Sequence, residues 1–382
     1  MKGFKNALVY IEGKGIVKTS IAIEGDKIVS IGGNEPVEDL IPLKEGYLVA
    51  PGFIDEHIHG AAASDAMDGT IKDLGNIACA VAKEGVIGFL ATTMTQSVEN
   101  ITNALTSVKD YMASDPKEGA RVLGVHLEGP FISPAFVGAQ PIEHVQTPSV
   151  EAFKHYQEAS GNSIKEVTIA PEVEGSLELI KYLKEQKIVA SIGHTNATYA
   201  DIKKAIEAGA SNVTHTFNAQ KPLHHREIGT VGSALLFDEL NCELICDTIH
   251  VSVPAIQLVL KVKPYDKVTL ITDAMRAKHM PDGISELGGQ TVIVKNGEAR
   301  LENGTLAGSV LRMNHAVRNV HLKCGEPLEH VLDMASLNPA KNLGIDHERG
   351  SIKVGKYADF VVLDQDFEVV ATIREGQIIY QR

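Results

Sequence analysis

Short apolar runs alternate along this chain with longer segments whose apolar residues recur three and four positions apart. The runs at 49–59, 85–93, 122–128, 167–171, 189–194, 212–218, 243–250 and 268–273 read as strands. Between most of them, 71–83, 98–112, 150–159, 176–185, 199–208 and 253–261 read as amphipathic helices, with stops at Gly85, Gly161 and Gly209. Eight strands with interleaved helices predict an α/β fold, a parallel (β/α)8 TIM-like barrel. A hairpin around 291–301 and helices at 309–323 and 328–336 follow.

The two ends follow a different rhythm. Residues 21–31 are two apolar strands around Gly25-Asp26, and 358–363 and 377–380 are strands separated by the turn Glu375-Gly376. Their pairing predicts a small β-sandwich domain formed by the N- and C-terminal segments, 1–51 and 350–382, beside a barrel domain of 52–349.

Composition narrows the class. Of the 382 residues 22% are charged and 44% apolar, the balance of a soluble globular enzyme. Aromatics are only 5% and Trp is absent, so Val, Ile, Leu and Ala are expected to fill the core. The net charge of −13 repels a phosphate backbone, so no nucleic-acid partner is expected. No run approaches the ~18 apolar residues of a membrane span. The apolar run at 7–11 is cut off by Glu12, too short for a signal-peptide core. Cys79, Cys242, Cys246 and Cys324 form no C-x-x-C pair and are expected to be reduced, which points to the cytoplasm.

A barrel presents its strand ends on one rim, and the ends here are polar. They carry His57 and His59, His126 and Glu128, His194, His215, His250, and Asp273. His57 and His59 stand two apart on a strand, so both point to one side and suit a single ion. Glu128 is placed to bridge to a second ion held by His194 and His215. Imidazoles and a carboxylate suit a divalent metal, one or two ions of Zn, Fe, Mn or Co. Paired ions ~3.5–4 Å apart would acidify a shared water and polarise a carbonyl, with Asp273 taking and returning the proton. That layout predicts hydrolysis of an amide.

At these residues the chain resembles the amidohydrolase superfamily, through Gly52-Phe-Ile-Asp-Glu-His-Ile-His59, the strand-end histidines, Asp273 and the closing segment from Gly350 to Asp364. In many members a carboxylated lysine bridges the metals; Glu128 stands in that role here. His126-Leu-Glu-Gly-Pro-Phe131, Gly193-His-Thr195, Thr214-His-Thr-Phe-Asn-Ala219 and Thr272-Asp-Ala274 resemble its amino-sugar-phosphate deacetylases, from about residue 20 to the end.

The resemblance implies removal of acetate from N-acetylglucosamine 6-phosphate, giving glucosamine 6-phosphate. It also implies that Glu128, His194 and His215 hold metal, that Asp273 is the acid/base and that His250 orients the acetyl carbonyl. The presence of both His57 and His59 favours two ions. Asn218, Ala219 and Arg226 would contact the sugar phosphate, with Arg226 reaching the neighbouring active site of a homodimer. Ala139 and the turn Leu306-Ala307-Gly308 would add contacts. Gln140 stands where many members have histidine, and its amide suits a sugar hydroxyl. The cationic loop Lys221-Pro-Leu-His-His-Arg226 independently suits phosphate. A cyclic amide or a purine amine remains the alternative substrate, because loops rather than fold select it.

Overall fold

The computed structural model describes residues 1–33 and 35–382. Eight strands, Phe53–Ile58, Val86–Thr92, Arg121–Glu128, Ile164–Ile169, Val189–Ile192, Asn212–Val213, Asn241–Ile245 and Val268–Ile271, pair in parallel in chain order. The last meets the first through Asp273 N–H to the His57 carbonyl at 2.8 Å and His59 N–H to the Ala274 carbonyl at 2.9 Å. The expected (β/α)8 barrel is present.

Helices wrap the barrel because each has one apolar stripe. In Ile71–Ala82, Leu74, Ile77, Ala78 and Val81 are buried, and the Thr70 hydroxyl caps the Asp73 N–H. Ser97, Ser149 and Thr198 cap Val98–Ala113, Val150–Ala159 and Tyr199–Ala208 in the same way, a feature worth about 1 kcal/mol each. Aliphatic residues dominate this shell, with Phe53, Phe89, Phe131, Phe153 and Tyr156 among its largest buried side chains. The inside of the barrel departs from the aliphatic expectation: Glu56, Glu166, Asn212 and Glu243 are fully buried there.

Several elements differ from the expectation. The run at 49–59 is two strands: Leu48–Pro51 pairs with Phe360–Leu363, and Phe53–Ile58 enters the barrel. The chain passes between them at Gly52, where a Cβ would come 2.4 Å from Ile87 Cγ2. The sixth and seventh strands stop at Val213 and Ile245. Beyond them His215, Phe217, Ala219 and Thr248 take left-handed φ of 31°, 85°, 49° and 70°, so those apolar runs end as turns. Helix Gly229–Leu236 is buried on nearly every side and therefore shows no amphipathic period. The expected hairpin is a three-stranded sheet, Gly283–Leu287, Gln290–Lys295 and Glu298–Leu301. The following helix begins at Met313, and Leu337–Asn342 adds a further one.

The chain ends share one sheet. Lys2–Ile11, Gly15–Glu24 and Lys27–Ile31 join through Leu48–Pro51 to Phe360–Leu363, Val369–Arg374 and Gln377–Gln381. Its own core includes Phe4, Ile21, Val49 and Phe360, with the two Phe rings edge-on at 5.4 Å. Arg349 fastens this sheet through Asp359 at 2.6 Å and Glu375 at 2.5 Å. Among the described residues no helix is long and apolar enough to cross a membrane.

Candidate active site

The strand-end residues converge. Glu128 Oε1 lies 3.2 Å from His194 Nε2, 3.0 Å from His215 Nε2 and 3.5 Å from His57 Nε2. Glu128 Oε2 lies 3.3 Å from His59 Nε2, which is 3.2 Å from Asp273 Oδ1. His194, His215 and Asp273 sit just past their strands with φ of 46°, 31° and 46°. Left-handed backbone at residues other than Gly costs about 1–3 kcal/mol each and persists where surrounding structure enforces it. Here it turns those side chains inward.

The outer ring nitrogens fix the inner ones. His57 Nδ1 donates to Glu243 Oε2 at 3.1 Å, His59 Nδ1 to the Thr92 carbonyl at 3.3 Å and His194 Nδ1 to the Phe136 carbonyl at 3.1 Å. In each ring Nε2 is thereby left to face the cluster, the arrangement of imidazoles that hold a metal.

Electrostatics agree. Burial pushes the Glu128 carboxyl up, but the charge of His57 and hydrogen bonds from His194, His215 and His59 hold it well below the usual carboxylate range. Asp273 is likewise opposed by burial and drawn down to about 2 by His57 and His59. Burial lowers the His59 and His215 rings, yet bonds to Asp273 and Glu128 raise the first and bonds to Glu128 the second. The cluster therefore gathers positive charge, as protons or as a cation. Two ligand sets share Glu128: His57 with His59, and His194 with His215. His57 Nε2 is buried with no hydrogen-bond partner among the described residues, which a metal bond would satisfy. The donor set fits a divalent ion.

A cavity of about 300 Å³ opens above the cluster, lined by His59, Glu128, His194, His215 and Asp273 and rimmed by Ala139, Asn218, Ala219, His250, Leu306 and Gly308. Ala307 turns away into the core of the three-stranded sheet, its N–H bonded to the Ala299 carbonyl at 3.0 Å. Arg226 is exposed, outside the residues lining its own chain's cavity, with Nη1 2.7 Å from His225 Nε2. Gln140 lines the cavity with its amide engaged on protein: Nε2 donates to Glu128 Oε2 and Oε1 accepts from Thr95 N–H, both at 2.7 Å. One of its two amide protons is thereby committed to Glu128. His126 bonds the Glu56 carbonyl and Thr168 at 3.2 and 2.7 Å and serves as packing under His57.

Other contributors went unread. Asp55 accepts from Thr272 N–H and hydroxyl at 3.2 and 2.6 Å, tying the eighth strand to the first just before Asp273. Glu243 supports His57, and Arg300 and Thr305 add polar wall from the three-stranded sheet. A carboxylate within an apolar strand was the available signal for the first two.

The sequence model of the amidohydrolase family matches residues 48–379. The chain is 41% identical over 381 residues to the N-acetylglucosamine-6-phosphate deacetylase of Bacillus subtilis, covering 98% of this chain and 96% of that one. It superposes on the crystal structure of N-acetylglucosamine-6-phosphate deacetylase from Thermotoga maritima with a TM-score of 0.90 and 37% identity, covering both chains fully. A mutant of the Mycobacterium smegmatis deacetylase in complex with N-acetyl-D-glucosamine-6-phosphate superposes with a TM-score of 0.91 and 28% identity, over 100% of this chain and 99% of that one.

Proposed function

Because the chain belongs to the amidohydrolase family, we infer that it hydrolyses N-acetyl-D-glucosamine 6-phosphate to D-glucosamine 6-phosphate and acetate in a metal-dependent reaction. The observation that carries this reading is the convergence of His57, His59, Glu128, His194, His215 and Asp273 below one ligand-sized cavity, in a chain whose relatives are such deacetylases. Those relatives favour the amino sugar over a cyclic amide or purine.

His57, His59, Glu128, His194, His215 and Asp273 would hold one or two divalent ions, of Zn, Fe, Mn or Co. Such an ion lowers the pKa of water and polarises a carbonyl oxygen. Asp273, kept ionised by its histidines, accepts the proton of the attacking water. The water oxygen bonds to the acetyl carbon, the C–N bond breaks, and Asp273 returns the proton to the departing amine. His250 meets the acetyl oxygen as its negative charge develops. Asn218, Ala219, Ala139, Leu306 and Gly308 hold the sugar at the rim; Ala307 shapes that turn from behind. Gln140 aligns Glu128.

Arg226 serves the active site of a second copy. Support comes from its exposure outside its own cavity, beside Leu223 and ahead of Leu236, which are 54% and 59% exposed. A homodimer would cover these apolar side chains. A cytoplasmic setting suits a chain with four free cysteines. We assign 52–349 to the catalytic unit and 1–51 with 350–382 to the sheet that braces it.

The test is acetate release by metal-analysed protein from the phosphorylated and the free N-acetyl sugar. Release from the phosphate, lost on chelation and regained with metal, is expected. No release from a metal-loaded protein would overturn the reading. Arg226→Ala should weaken use of the phosphorylated sugar alone; equal losses on both sugars would remove its phosphate role.

A further inference from the structure

Between the seventh barrel strand and helix Val253–Val262 the chain makes a tight turn that carries His250 to the cavity wall. One side chain organises this turn. Asp247 Oδ1 accepts from Ile249 N–H and His250 N–H, each at 2.8 Å, while Oδ2 accepts from His250 Nδ1 at 2.6 Å. The two side chains are only 9% and 6% exposed. Thr248 between them is left-handed, with φ of 70°, and Asn319 holds the Cys246 carbonyl at 2.9 Å. The ring has little freedom to turn.

The chemistry of the pair follows from the partner. An ionised carboxylate only accepts hydrogen bonds, so His250 carries a proton on Nδ1 and leaves Nε2 for the cavity. We propose that Asp247 is a positioning residue of the deacetylation: it engages Nδ1 of the His250 ring and fixes the ring's orientation, so that Nε2 is the atom turned to the acetyl oxygen. This rests on the reaction assigned above. Asp247 itself is not among the residues lining the cavity.

Asp247→Asn separates this role from a structural one. Asn keeps Oδ1 for the two backbone N–H groups but puts an NH2 where Oδ2 was. That amide donates to Nδ1 and moves the proton of the neutral ring to Nε2. Nitrogen NMR of histidine-labelled protein, with His250 assigned by its loss in His250→Asn, should show Nδ1 protonated in wild type and bare in Asp247→Asn. On N-acetylglucosamine 6-phosphate, kcat should fall about tenfold, because a weaker neutral hydrogen bond replaces the charge-assisted one that anchors the ring, with KM changed far less. In a His250→Asn background the same substitution should cost under about twofold, because its route of action is gone.

A bare Nδ1 in wild type would overturn the proposal. So would a wild-type kcat in Asp247→Asn, or an equal loss in both backgrounds, which would mean that Asp247 acts on the fold and not through the ring. Wild type that releases no acetate would overturn the deacetylation itself. Wild type that does, beside an unaffected Asp247→Asn, would overturn only the role of Asp247.

Discussion

Two groups of buried acids lie inside one barrel and behave in opposite ways. At the rim, Glu128 and Asp273 are held below their ordinary range by the histidines around them. Within the barrel, Glu56, Glu166 and Glu243 are pushed well above it, first by burial and then by one another. Both groups offer three or more ligand atoms within 4.8 Å of one another, so spacing alone does not tell them apart. The neighbours do. Four imidazoles surround Glu128, whereas the lower group meets one, His57 at Glu243 at 3.1 Å, beside Asn212 at 2.7 and 3.0 Å and Asn342 at 3.1 Å, neutral amides that satisfy oxygens without adding positive charge. Removing a carboxylate from water favours its neutral form unless opposite charge compensates. The rim group is therefore built to stay ionised and open to a cavity, and the lower group to share protons where solvent does not reach, with Glu166 donating toward Glu243.

The largest effect should come from Asp273→Asn. The amide keeps the shape and the hydrogen bond to His59 but cannot accept a proton, so kcat should fall by about 10²- to 10⁴-fold. Glu128 and its four histidines remain, so bound metal should stay near the wild-type content by elemental analysis. Undiminished turnover would remove Asp273 from proton transfer. Lost metal would make it chiefly a ligand.

Glu243 joins the two groups, and Glu243→Gln measures how far they depend on each other. One carboxylate oxygen receives His57 Nδ1 and His215 N–H, each at 3.1 Å, and the other receives Asn212. A glutamine in either orientation sets its NH2 against one of these donors. Disturbing the partner of a metal-binding imidazole typically costs about 10- to 100-fold in metal affinity, and a chelator titration against wild type should show a loss of that size. Unchanged affinity would mean that His57 needs no support from below.

The rim was legible in the sequence because a parallel barrel delivers every strand end to one face. His57, His59, Glu128, His194, His215 and Asp273 each follow an apolar run, and that pattern sufficed to group them. The support below was not legible. Glu56, Glu166, Asn212 and Glu243 sit within apolar strands, and periodicity does not say which way an interior polar residue faces when both faces of the strand are buried. Helix Gly229–Leu236 escaped for the same reason: a segment buried all round has no polar stripe. The shortness of the sixth and seventh strands was hidden because left-handed residues such as Phe217 and Ala219 carry no sequence mark of their backbone. Gln140 shows a further limit. Its type suited a sugar hydroxyl, and only the fold shows that its amide also reaches Thr95 and Glu128.

The smallest effect should come from Glu166→Gln, and its smallness is informative. If Glu166 holds its proton in the folded protein, a glutamine reproduces both its polarity and its charge. The carbonyl can accept from Asn212 and the NH2 can replace the acid proton toward Glu243. Metal content and kcat should stay within about twofold, and stability near neutral pH should be unchanged or higher, since the buried hydrogen bonds keep their partners. The sign with pH follows from linkage. Burial and Glu243 raise the folded pKa of Glu166 above its unfolded value. The wild type therefore loses stability as pH climbs from the unfolded pKa toward the folded one, because only the unfolded chain releases the proton. Glutamine has no proton to release. The difference in melting temperature, variant minus wild type, should grow from pH 5 to pH 8. A difference that shrinks with pH, or a large loss of metal, would show Glu166 ionised in the folded protein and make the lower group a second cation site.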